Sequence, residues 1–485
     1  MTAHADSRLV GGRRRLQIIE PAAVERIHEA SLEVLGRTGV VFHSQRALDV
    51  LEEHGATVDR ATTVARIPGA TVAHALRTLP RTFTLGGRTP EFDLPLDGRH
   101  AYLSSDGCAP LVRRPDGSVR RSVKQDVYEA ARVVDALPGL SATSAIVSAQ
   151  DCPIETRVLH EFDACVRASR KHAVVVSMKD AAEARPLLRM AELVAGGGEE
   201  LKARPLFSVI LCSVSPLHQE RFGMDLAFAL AAAGIPIFLY PMPILGATAP
   251  VTPAGAAVVN NTELLAALTA IQLACPGAPL IHAGGPAALD MRSGGYFANV
   301  PEALLLRAAQ AQMAAFYGMP AGLGWGGTKA MMPDAQAAYE NASAMLLEML
   351  AGADLLFGAG LLDSVQQLCL EELVIADEVF GMVMRLLKGI RVDQETLAVD
   401  VIKRMGFGGD YLFDGHARAH VRELWRARLG EAGTFEHWQA AGAPSLESRA
   451  AAKVREILAS PPPEFPADLG RELDEIIEAV QAGLF

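Results

Sequence analysis

The residues best suited to chemistry in this sequence lie between Gly322 and Glu340. Four glycines surround a tryptophan there, in the order Gly322, Gly324, Trp325, Gly326 and Gly327. Glycines let a backbone come close to a bound molecule, because they have no side chain. The tryptophan provides a large aromatic face. This combination predicts a ligand-binding site at this point of the chain.

Aromatic side chains are scarce, at 6% of residues, so their positions are informative. Four of them fall at or just past the ends of predicted strands: Tyr102, Tyr240, Trp325 and Phe357. Aromatic faces together with carboxylates such as Asp106 and Glu340 suit a quaternary ammonium ligand. A single aromatic residue at a strand end is more often part of the core, but four on one rim favour a cation-binding site.

Other chemistries find less support in the sequence. The glycine cluster lacks the spacing of a dinucleotide-binding loop, and there is neither a Walker loop nor a Gly-x-Ser-x-Gly nucleophile elbow. His416 and His420 have helical spacing for metal ligands, but no zincin glutamate accompanies them, so we predict no metal site. His218 and His282 lie near strand ends or helix starts. Each is either a hydrogen-bond donor in a pocket or a structural histidine.

The composition restricts the function classes. The 485 residues carry a net charge of −11, which argues against nucleic-acid binding because that requires a concentrated basic face. The most apolar region, residues 225–250, is broken by glycines and prolines, so we predict no membrane span. Six cysteines are scattered without paired spacing, which favours buried thiols in a reducing cytoplasm.

The elements that position these residues alternate between helices and buried strands from about Ser122 onward. Apolar strands are predicted at 140–147, 173–178, 207–211, 237–240, 280–283, 321–325 and 355–359. Seven or eight strand–helix units over roughly 260 residues are typical of a (β/α)8 barrel, whose active sites lie at the carboxyl ends of the strands. A doubly wound open sheet is the competing architecture, but it would be unusually long.

We therefore predict an α/β protein with four regions. Residues 1–15 form a flexible N-terminus, and residues 16–121 form an α+β lead-in that ends in hairpins at 92–119. Residues 122–390 form the (β/α)8 TIM-type barrel. Residues 391–485 form a C-terminal helical extension that wraps the barrel or meets another subunit.

The acidic run from Glu371 to Glu378 allows two interpretations. Its four carboxylates lie on a predicted helix, where they form either a solvated face or a negative patch at the barrel mouth. The sequence leaves both open.

Several motifs together resemble the trimethylamine methyltransferase family. They are Leu289-Asp-Met-Arg292-Ser-Gly-Gly295 followed by Pro301-Glu302, then Pro333-Asp-Ala-Gln-Ala-Ala-Tyr-Glu340, and Glu372-Leu-Val-Ile-Ala-Asp-Glu378. The first helix and the proline-rich run before the last helix are also similar to that family. The resemblance extends from about residue 16 to the end of the chain.

The resemblance implies a (β/α)8 barrel that transfers a methyl group from a methylated amine to the cobalt of a corrinoid on a separate protein. Members specific for trimethylamine carry pyrrolysine, encoded by an in-frame amber codon. This chain has ordinary residues throughout, including Lys329, Met331 and Met332 in the glycine cluster. It therefore resembles the subgroup without pyrrolysine, which includes glycine betaine methyltransferases.

A quaternary ammonium becomes a neutral amine when it loses a methyl group, so its enzyme needs orientation and charge complementarity rather than an acid or a metal. We expect Trp325 and the other aromatic residues to face the cation, with no certain catalytic residue. Arg292, His218 and His282 are candidates to meet a substrate carboxylate. Gly324, Gly326 and Gly327 are expected to face the approaching corrinoid.

The predicted protein is thus a cytoplasmic methyltransferase for a betaine-like quaternary amine. Its partner is a corrinoid-binding protein that carries the cobalamin cofactor, and the chain itself forms a homo-oligomer. One alternative keeps the fold but passes the methyl group to another acceptor, such as folate. Another is a barrel that binds betaine without chemistry.

Overall fold

The computed structural model describes residues 16–179 and 181–484. The stretch 1–15, which the sequence predicts to be flexible, lies outside the described residues.

Eight parallel strands form a closed barrel in which each strand pairs with the next one along the chain. They are β1 (Tyr102–Ser105), β2 (Leu140–Ser144), β3 (His172–Val175), β4 (Phe207–Leu211), β5 (Ile237–Leu239), β6 (Leu280–Gly284), β7 (Ala321–Gly324) and β8 (Leu355–Ala359). The barrel closes through parallel pairing of β8 with β1. The predicted (β/α)8 architecture is confirmed.

Eight helices follow these strands and surround the barrel. They are α1 (Lys124–Ala136), α2 (Arg157–Ala168), α3 (Ala184–Ala195), α4 (Arg221–Ala232), α5 (Pro253–Ala274), α6 (Pro301–Tyr317), α7 (Ala335–Ala351) and α8 (Leu370–Leu387). Among the described helices, α5 alone is long and apolar enough to cross a bilayer, and 78% of its most apolar window is buried inside the fold. Burial of this kind is expected of a core helix.

The first barrel strand lies within the region that the sequence analysis assigned to hairpins. The barrel therefore begins at Tyr102, and the boundary expected at residue 122 falls after β1. The turn signals around this short strand, at residues 97–98 and 116–117, are typical of hairpins. Barrel closure nevertheless buries Ser104 and Ser105 completely, and the hydroxyls of Ser105 and Ser144 lie 3.1 Å apart.

The lead-in region packs against the outside and the amino end of the barrel. Its helices are Pro21–Arg37, Gln45–Glu53 and Gly69–Arg77, and its strands Val40–Phe42, Thr57–Asp59 and Val64–Arg66 form a sheet with His218–Gln219. A hairpin of Phe83–Leu85 and Leu94–Leu96 follows. Its leucines join Tyr102 and Ala142 in one buried cluster, so this hairpin plugs the amino end of the barrel.

Large and small side chains complement one another inside the barrel. Phe238 and Phe357 meet edge to face, with ring centroids 5.0 Å apart. A Cβ on Gly322 would lie 2.7 Å from the Phe238 ring, closer than carbon atoms can approach. Glycine on β7 is therefore required by the aromatic residues opposite it.

Three hairpins cover the carboxyl ends of the strands, here called the barrel mouth. They pair Ala287–Asp290 with Gly295–Phe297, Leu361–Leu362 with Gln367–Leu368, and Leu111–Arg113 with Val119–Arg121. Short helices Gly198–Ala203, Gln394–Leu397, Val399–Met405, Gly415–His420 and Phe435–Ala440 lie outside the barrel, followed by Leu446–Ala459 and Ala467–Gln481. The chain after α8 is thus largely helical.

Candidate functional site

Three of the residues singled out in the sequence come together at the mouth. Asp106 directly follows β1, Tyr240 directly follows β5, and Phe357 lies on β8. The rings of Tyr240 and Phe357 meet edge to face, with centroids 6.3 Å apart. Burial raises the pKa of the Tyr240 and Tyr296 phenols, and the carboxylate of Asp106 is close enough to both to add to the increase. The mouth therefore combines aromatic faces with one carboxyl group.

The charge state of this group of residues is set by burial. Burial raises the pKa of Asp106 to about 6, although a hydrogen bond from the Gly107 amide opposes the shift. Burial, with Asp106 nearby, raises the pKa of Tyr240 well above its ordinary value. At neutral pH the site holds one carboxylate and a protonated phenol.

The ring of Tyr240 passes over two glycines, Gly324 on β7 and Gly285 directly after β6. A Cβ on Gly324 would lie 1.7 Å from the Tyr240 hydroxyl, and one on Gly285 would lie 2.8 Å from the same ring. Any larger residue at either position would displace Tyr240. Gly324, the second glycine of the cluster, thus makes room for a neighbouring side chain.

The next two glycines are enclosed by neighbouring loops. Gly326 and Gly327 have φ of 66° and 69°, which L side chains rarely adopt. A Cβ on Gly327 would lie 2.5 Å from the Leu361 carbonyl oxygen, and Asn299 donates a hydrogen bond to the Gly327 carbonyl at 2.6 Å. Backbone conformation and close packing explain why both positions are glycine. Their enclosure does not support the expectation that they face a corrinoid.

A strained turn holds this loop from the other side. Asp363, Ser364 and Val365 all have positive φ, of 50°, 50° and 71°, which costs a non-glycine residue about 1–2 kcal/mol each. Tertiary contacts stabilise the turn: the Ser364 amide donates to the Thr328 carbonyl at 2.8 Å, and Val365 packs against Gly326. The glycine loop is a packed part of the rim.

Trp325 lies on the outer side of the barrel and does not line the mouth. It is completely buried, and its indole nitrogen donates to Asn341 on α7 at 2.8 Å. Its ring packs against Gly358, where a Cβ would lie 2.4 Å from the indole. Side chains alternate along a strand, so the inward position of Gly324 directs Trp325 outward.

Tyr102 and Glu340 have structural contacts and do not line the mouth either. Tyr102 is at the plugged amino end, where its hydroxyl donates to the Pro95 carbonyl at 3.3 Å. Glu340 accepts hydrogen bonds from Thr328, from the Lys329 amide and from Gln336. It therefore ties the glycine loop to α7.

The three candidates for a substrate carboxylate are dispersed. His218 lies in the outer sheet, 3.3 Å from a ring nitrogen of His43. His282 points out of the barrel towards the ring of Tyr317, and burial lowers its pKa to about 3. Arg292 lies at the exposed turn of the hairpin over the mouth. His218 therefore pairs with the lead-in sheet, His282 points away from the barrel axis, and Arg292 lies on the outer edge of the mouth.

The acidic run Glu371–Glu378 is neither a solvated face nor a patch at the mouth. Glu371, Glu372 and Asp377 are buried. Asp377 accepts from the Gly139 amide at 2.5 Å at the amino end of the barrel, and Glu378 accepts from the amides of residues 428–430. These carboxylates fix the chain around α8. Among the described residues, no group of three or more His, Cys, Asp or Glu could hold a metal ion.

Sequence reasoning missed Tyr296 and the pair that positions its hairpin. Arg307 on α6 and Glu348 on α7 are fully buried and form an ion pair of 2.6 Å. Arg307 also donates to the carbonyls of Pro286 and Ala298, which lie at the two ends of the hairpin that carries Tyr296. The sequence signal that could have revealed this pair is Arg307, a charged residue within the apolar pattern of α6.

We expect Arg307→Met to lower the free energy of unfolding by about 3–5 kcal/mol, because it leaves Glu348 buried without its partner. Urea denaturation at neutral pH measures this loss. Arg189→Met is the control, since Arg189 pairs with Glu192 on an exposed helix face and should change stability by less than about 1 kcal/mol. Equal losses in both variants would contradict the assigned role.

A second buried chain of hydrogen bonds runs from Trp325 through Asn341 to Glu372 at 2.6 Å. Burial raises the pKa of Glu372 to about 8 from 4.5, so the folded protein binds this proton more tightly than the unfolded chain. Its stabilising contribution is complete below about pH 4.5 and is lost as the pH rises towards about 8.

Glu372→Gln should therefore remove a pH dependence on the order of a few kcal/mol and be more stable than the unsubstituted protein at about pH 8. Urea denaturation across the pH range tests this. Glu456→Gln, which alters an exposed carboxylate, should keep the original pH dependence. Parallel curves for the unsubstituted protein and Glu372→Gln would show that this carboxyl is not buried with a raised pKa.

Comparison with known proteins relates this barrel to methyltransferases. Residues 2–484 match the sequence model of the family described as trimethylamine methyltransferase (MTTB). Trimethylamine methyltransferase MttB of Desulfitobacterium hafniense is 33% identical over 457 residues, covering 94% of this chain and 92% of that protein. Glycine betaine methyltransferase of the same species is 29% identical over 468 residues, covering 96% of each.

The fold is also similar to that of a solved structure, the monomethylamine methyltransferase MtmB of Methanosarcina barkeri. The TM-score is 0.51 at 14% sequence identity, covering 91% of this chain and 89% of that one. The match to the family model spans nearly the whole chain, and the closed barrel agrees with it. The chain therefore belongs to the trimethylamine methyltransferase family and is a methyltransferase.

Proposed function

We propose that this enzyme transfers a methyl group from a betaine-like quaternary amine to the cobalt of a corrinoid carried by a separate protein. The observation that carries this proposal is the mouth itself, where the ring of Tyr240 packs on Phe357 close to the carboxyl group of Asp106. A quaternary ammonium is attracted to both kinds of group. A relative named glycine betaine methyltransferase supports this substrate class.

The reaction breaks one N–CH3 bond. The electron pair of that bond stays on nitrogen, and the amine leaves uncharged, so no proton has to be supplied. Tyr240 can remain protonated throughout, in keeping with the raised pKa of its phenol. The residues at the mouth bind and orient the amine, and orientation of the reacting groups lowers the barrier.

The strength with which the mouth attracts a cation also suits this reaction. The positive charge of the substrate disappears in the product, so tight binding of the cation in the ground state would raise the barrier. One carboxylate with aromatic faces binds a cation more weakly than a buried ion pair would. This arrangement holds the substrate without trapping it.

The methyl acceptor approaches at the mouth. The corrinoid supplies a nucleophilic cobalt when its carrier protein is bound. The hairpin of Phe83–Leu85 and Leu94–Leu96 plugs the opposite end of the barrel, so a carrier reaches the bound amine from the carboxyl ends of the strands. His218 pairs with the lead-in sheet, His282 points out of the barrel, and Arg292 lies at the exposed outer edge of the mouth. These positions support recognition of the ammonium group rather than of a substrate carboxylate.

We place the enzyme in the cytoplasm. All six cysteines are free, as is usual in a reducing compartment.

The substrate class is tested by mixing the purified enzyme with cob(I)alamin and single amines. We expect glycine betaine to give methylcobalamin, seen by its absorption spectrum, together with dimethylglycine. Turnover of trimethylamine in place of quaternary amines would overturn the substrate class. Demethylation without cobalamin when tetrahydrofolate is present would indicate another acceptor, and betaine binding without methylcobalamin would indicate a barrel that only binds.

Asp106 gives the binding site a defined pH dependence. Because its pKa is about 6, the group loses its charge as the pH falls below that value. We expect the dissociation constant for glycine betaine to rise about tenfold per pH unit below pH 6. Asp106→Asn should weaken binding at neutral pH and abolish this dependence, as measured by calorimetry.

Asp116→Asn serves as the control for Asp106→Asn. Asp116 caps the exposed turn at the tip of the hairpin of Leu111–Arg113 and Val119–Arg121 through Ser118, and its replacement should leave both affinity and pH profile unchanged. An unaltered pH profile in Asp106→Asn would exclude Asp106 as the group that meets the cation.

A further inference from the structure

The hairpin over the barrel mouth, residues 287–297, has two different faces. Residues directly opposite each other in an antiparallel pair share a face, and neighbours along a strand alternate between faces. Ala288 is opposite Phe297, and Leu289 is opposite Tyr296. These two pairs therefore lie on opposite faces of the hairpin.

Packing identifies which face looks outward. Ala288 pairs with Leu245 in the same small sheet. It also packs against an apolar cluster outside the barrel, to which Leu245 belongs together with Ala256 of α5 and Leu306 of α6. The face that carries Ala288 is therefore turned towards the barrel helices. The other face, which carries Tyr296, is turned towards the barrel axis.

The hairpin begins beside Tyr240. The amides of Gly285 and Ala287 donate to the carbonyls of Pro241 and Pro243, each at 3.3 Å. The start of the hairpin thus runs alongside the segment that follows Tyr240, and the Tyr240 ring passes over Gly285 at the same point. The inner face of the hairpin is therefore next to this ring.

Tyr296 reaches from the hairpin towards Asp106. The hairpin follows β6 and Asp106 follows β1, which are separated around the barrel by β7 and β8. Tyr296 is half-buried. Burial raises the pKa of its phenol, Arg307 opposes the increase, and Asp106 adds to it. The ring is therefore uncharged at neutral pH and lies within electrostatic range of the carboxyl group.

Buried groups fix the base of the hairpin. Arg307 holds the carbonyls of Pro286 and Ala298, and Asn299 donates to the Gly327 carbonyl at 2.6 Å. The aromatic ring on the inner face is thus held in place before a ligand binds. Such preorganisation reduces the entropy that binding costs.

We propose that Tyr296 is a third aromatic wall of the cation site and makes it selective for a quaternary ammonium over a neutral group of the same shape. Its ring faces the ammonium together with Tyr240 and Phe357, with Asp106 as the carboxylate. Aromatic rings attract a cation through their negative faces. This inference rests on the proposed function for the class of ligand.

The test compares two ligands of the same shape on the full-length protein by calorimetry. One is glycine betaine, and the other is its carbon analogue, in which a tert-butyl group replaces the trimethylammonium. We expect Tyr296→Leu to raise the dissociation constant for glycine betaine at least about tenfold, because the aromatic attraction is lost. Leucine keeps an apolar contact, so the dissociation constant for the carbon analogue should change less than about threefold. Tyr296→Phe keeps the ring and should change neither constant more than about threefold.

Phe297→Leu is the matched control, since Phe297 is the neighbouring residue on the outer face of the same hairpin. It should bind glycine betaine as the unsubstituted protein does. Equal losses in Tyr296→Leu and Phe297→Leu, or equal losses of both ligands in Tyr296→Leu, would show that Tyr296 only supports the hairpin and would overturn the proposal.

Proton NMR with tetramethylammonium provides a second measurement, which does not depend on the tail of the substrate. Ring currents of the surrounding aromatic residues should move the N-methyl resonance upfield on binding. The shift should be smaller in Tyr296→Leu and unchanged in Phe297→Leu. An unsubstituted protein that binds neither ammonium ligand would also overturn the aromatic wall.

The outcomes separate this inference from the proposed function. Methylcobalamin formed from glycine betaine by the unsubstituted protein and by Tyr296→Leu, with equal dissociation constants, would overturn the aromatic wall and leave methyl transfer standing. Binding of quaternary amines that depends on Tyr296, without methylcobalamin, would support the wall and count against methyl transfer.

Discussion

The buried ion pair between Arg307 and Glu348 is the interaction on which the mouth depends. It joins α6 to α7 inside the helical layer, and the same guanidinium holds the two ends of the hairpin that carries Tyr296. Two charges removed from water are tolerated only when geometry and hydrogen bonds compensate for their lost hydration. The pair thus ties the position of the hairpin to the packing of the barrel helices.

Around this pair, the glycine loop and its neighbours form a rigid rim. Gly324 and Gly285 leave room for Tyr240, Gly327 passes beneath Leu361, and a strained turn closes over Gly326. Strain of this kind persists only where the surrounding structure determines it. A rigid rim suits a reaction in which the protein contributes position and electrostatics. The aromatic residues and Asp106 are then held in place before the substrate arrives.

Much of the fold followed from pattern alone. Seven barrel strands alternate regularly with helical patterns along the chain, so their type and order were predictable. β1 was missed, because the turn signals on both sides of it are typical of hairpins and its parallel partners lie far away in the sequence. The site was harder to predict from the sequence. Asp106, Tyr240 and Phe357 meet at the mouth, whereas Trp325, Glu340 and Tyr102 have structural contacts. Both groups consist of aromatic or acidic residues near strand ends, so composition cannot separate them.

The sequence by itself determined the barrel, the family and the class of reaction, since these depend on periodicity and on motifs spread along the chain. Only the tertiary structure decided which face of each strand turns inward. That choice places Gly324 towards the axis and Trp325 against Asn341, because neighbouring side chains on a strand point to opposite sides. It also brought together Arg307 and Glu348, which lie on separate helices. These features depend on contacts between distant residues, which local sequence pattern does not specify.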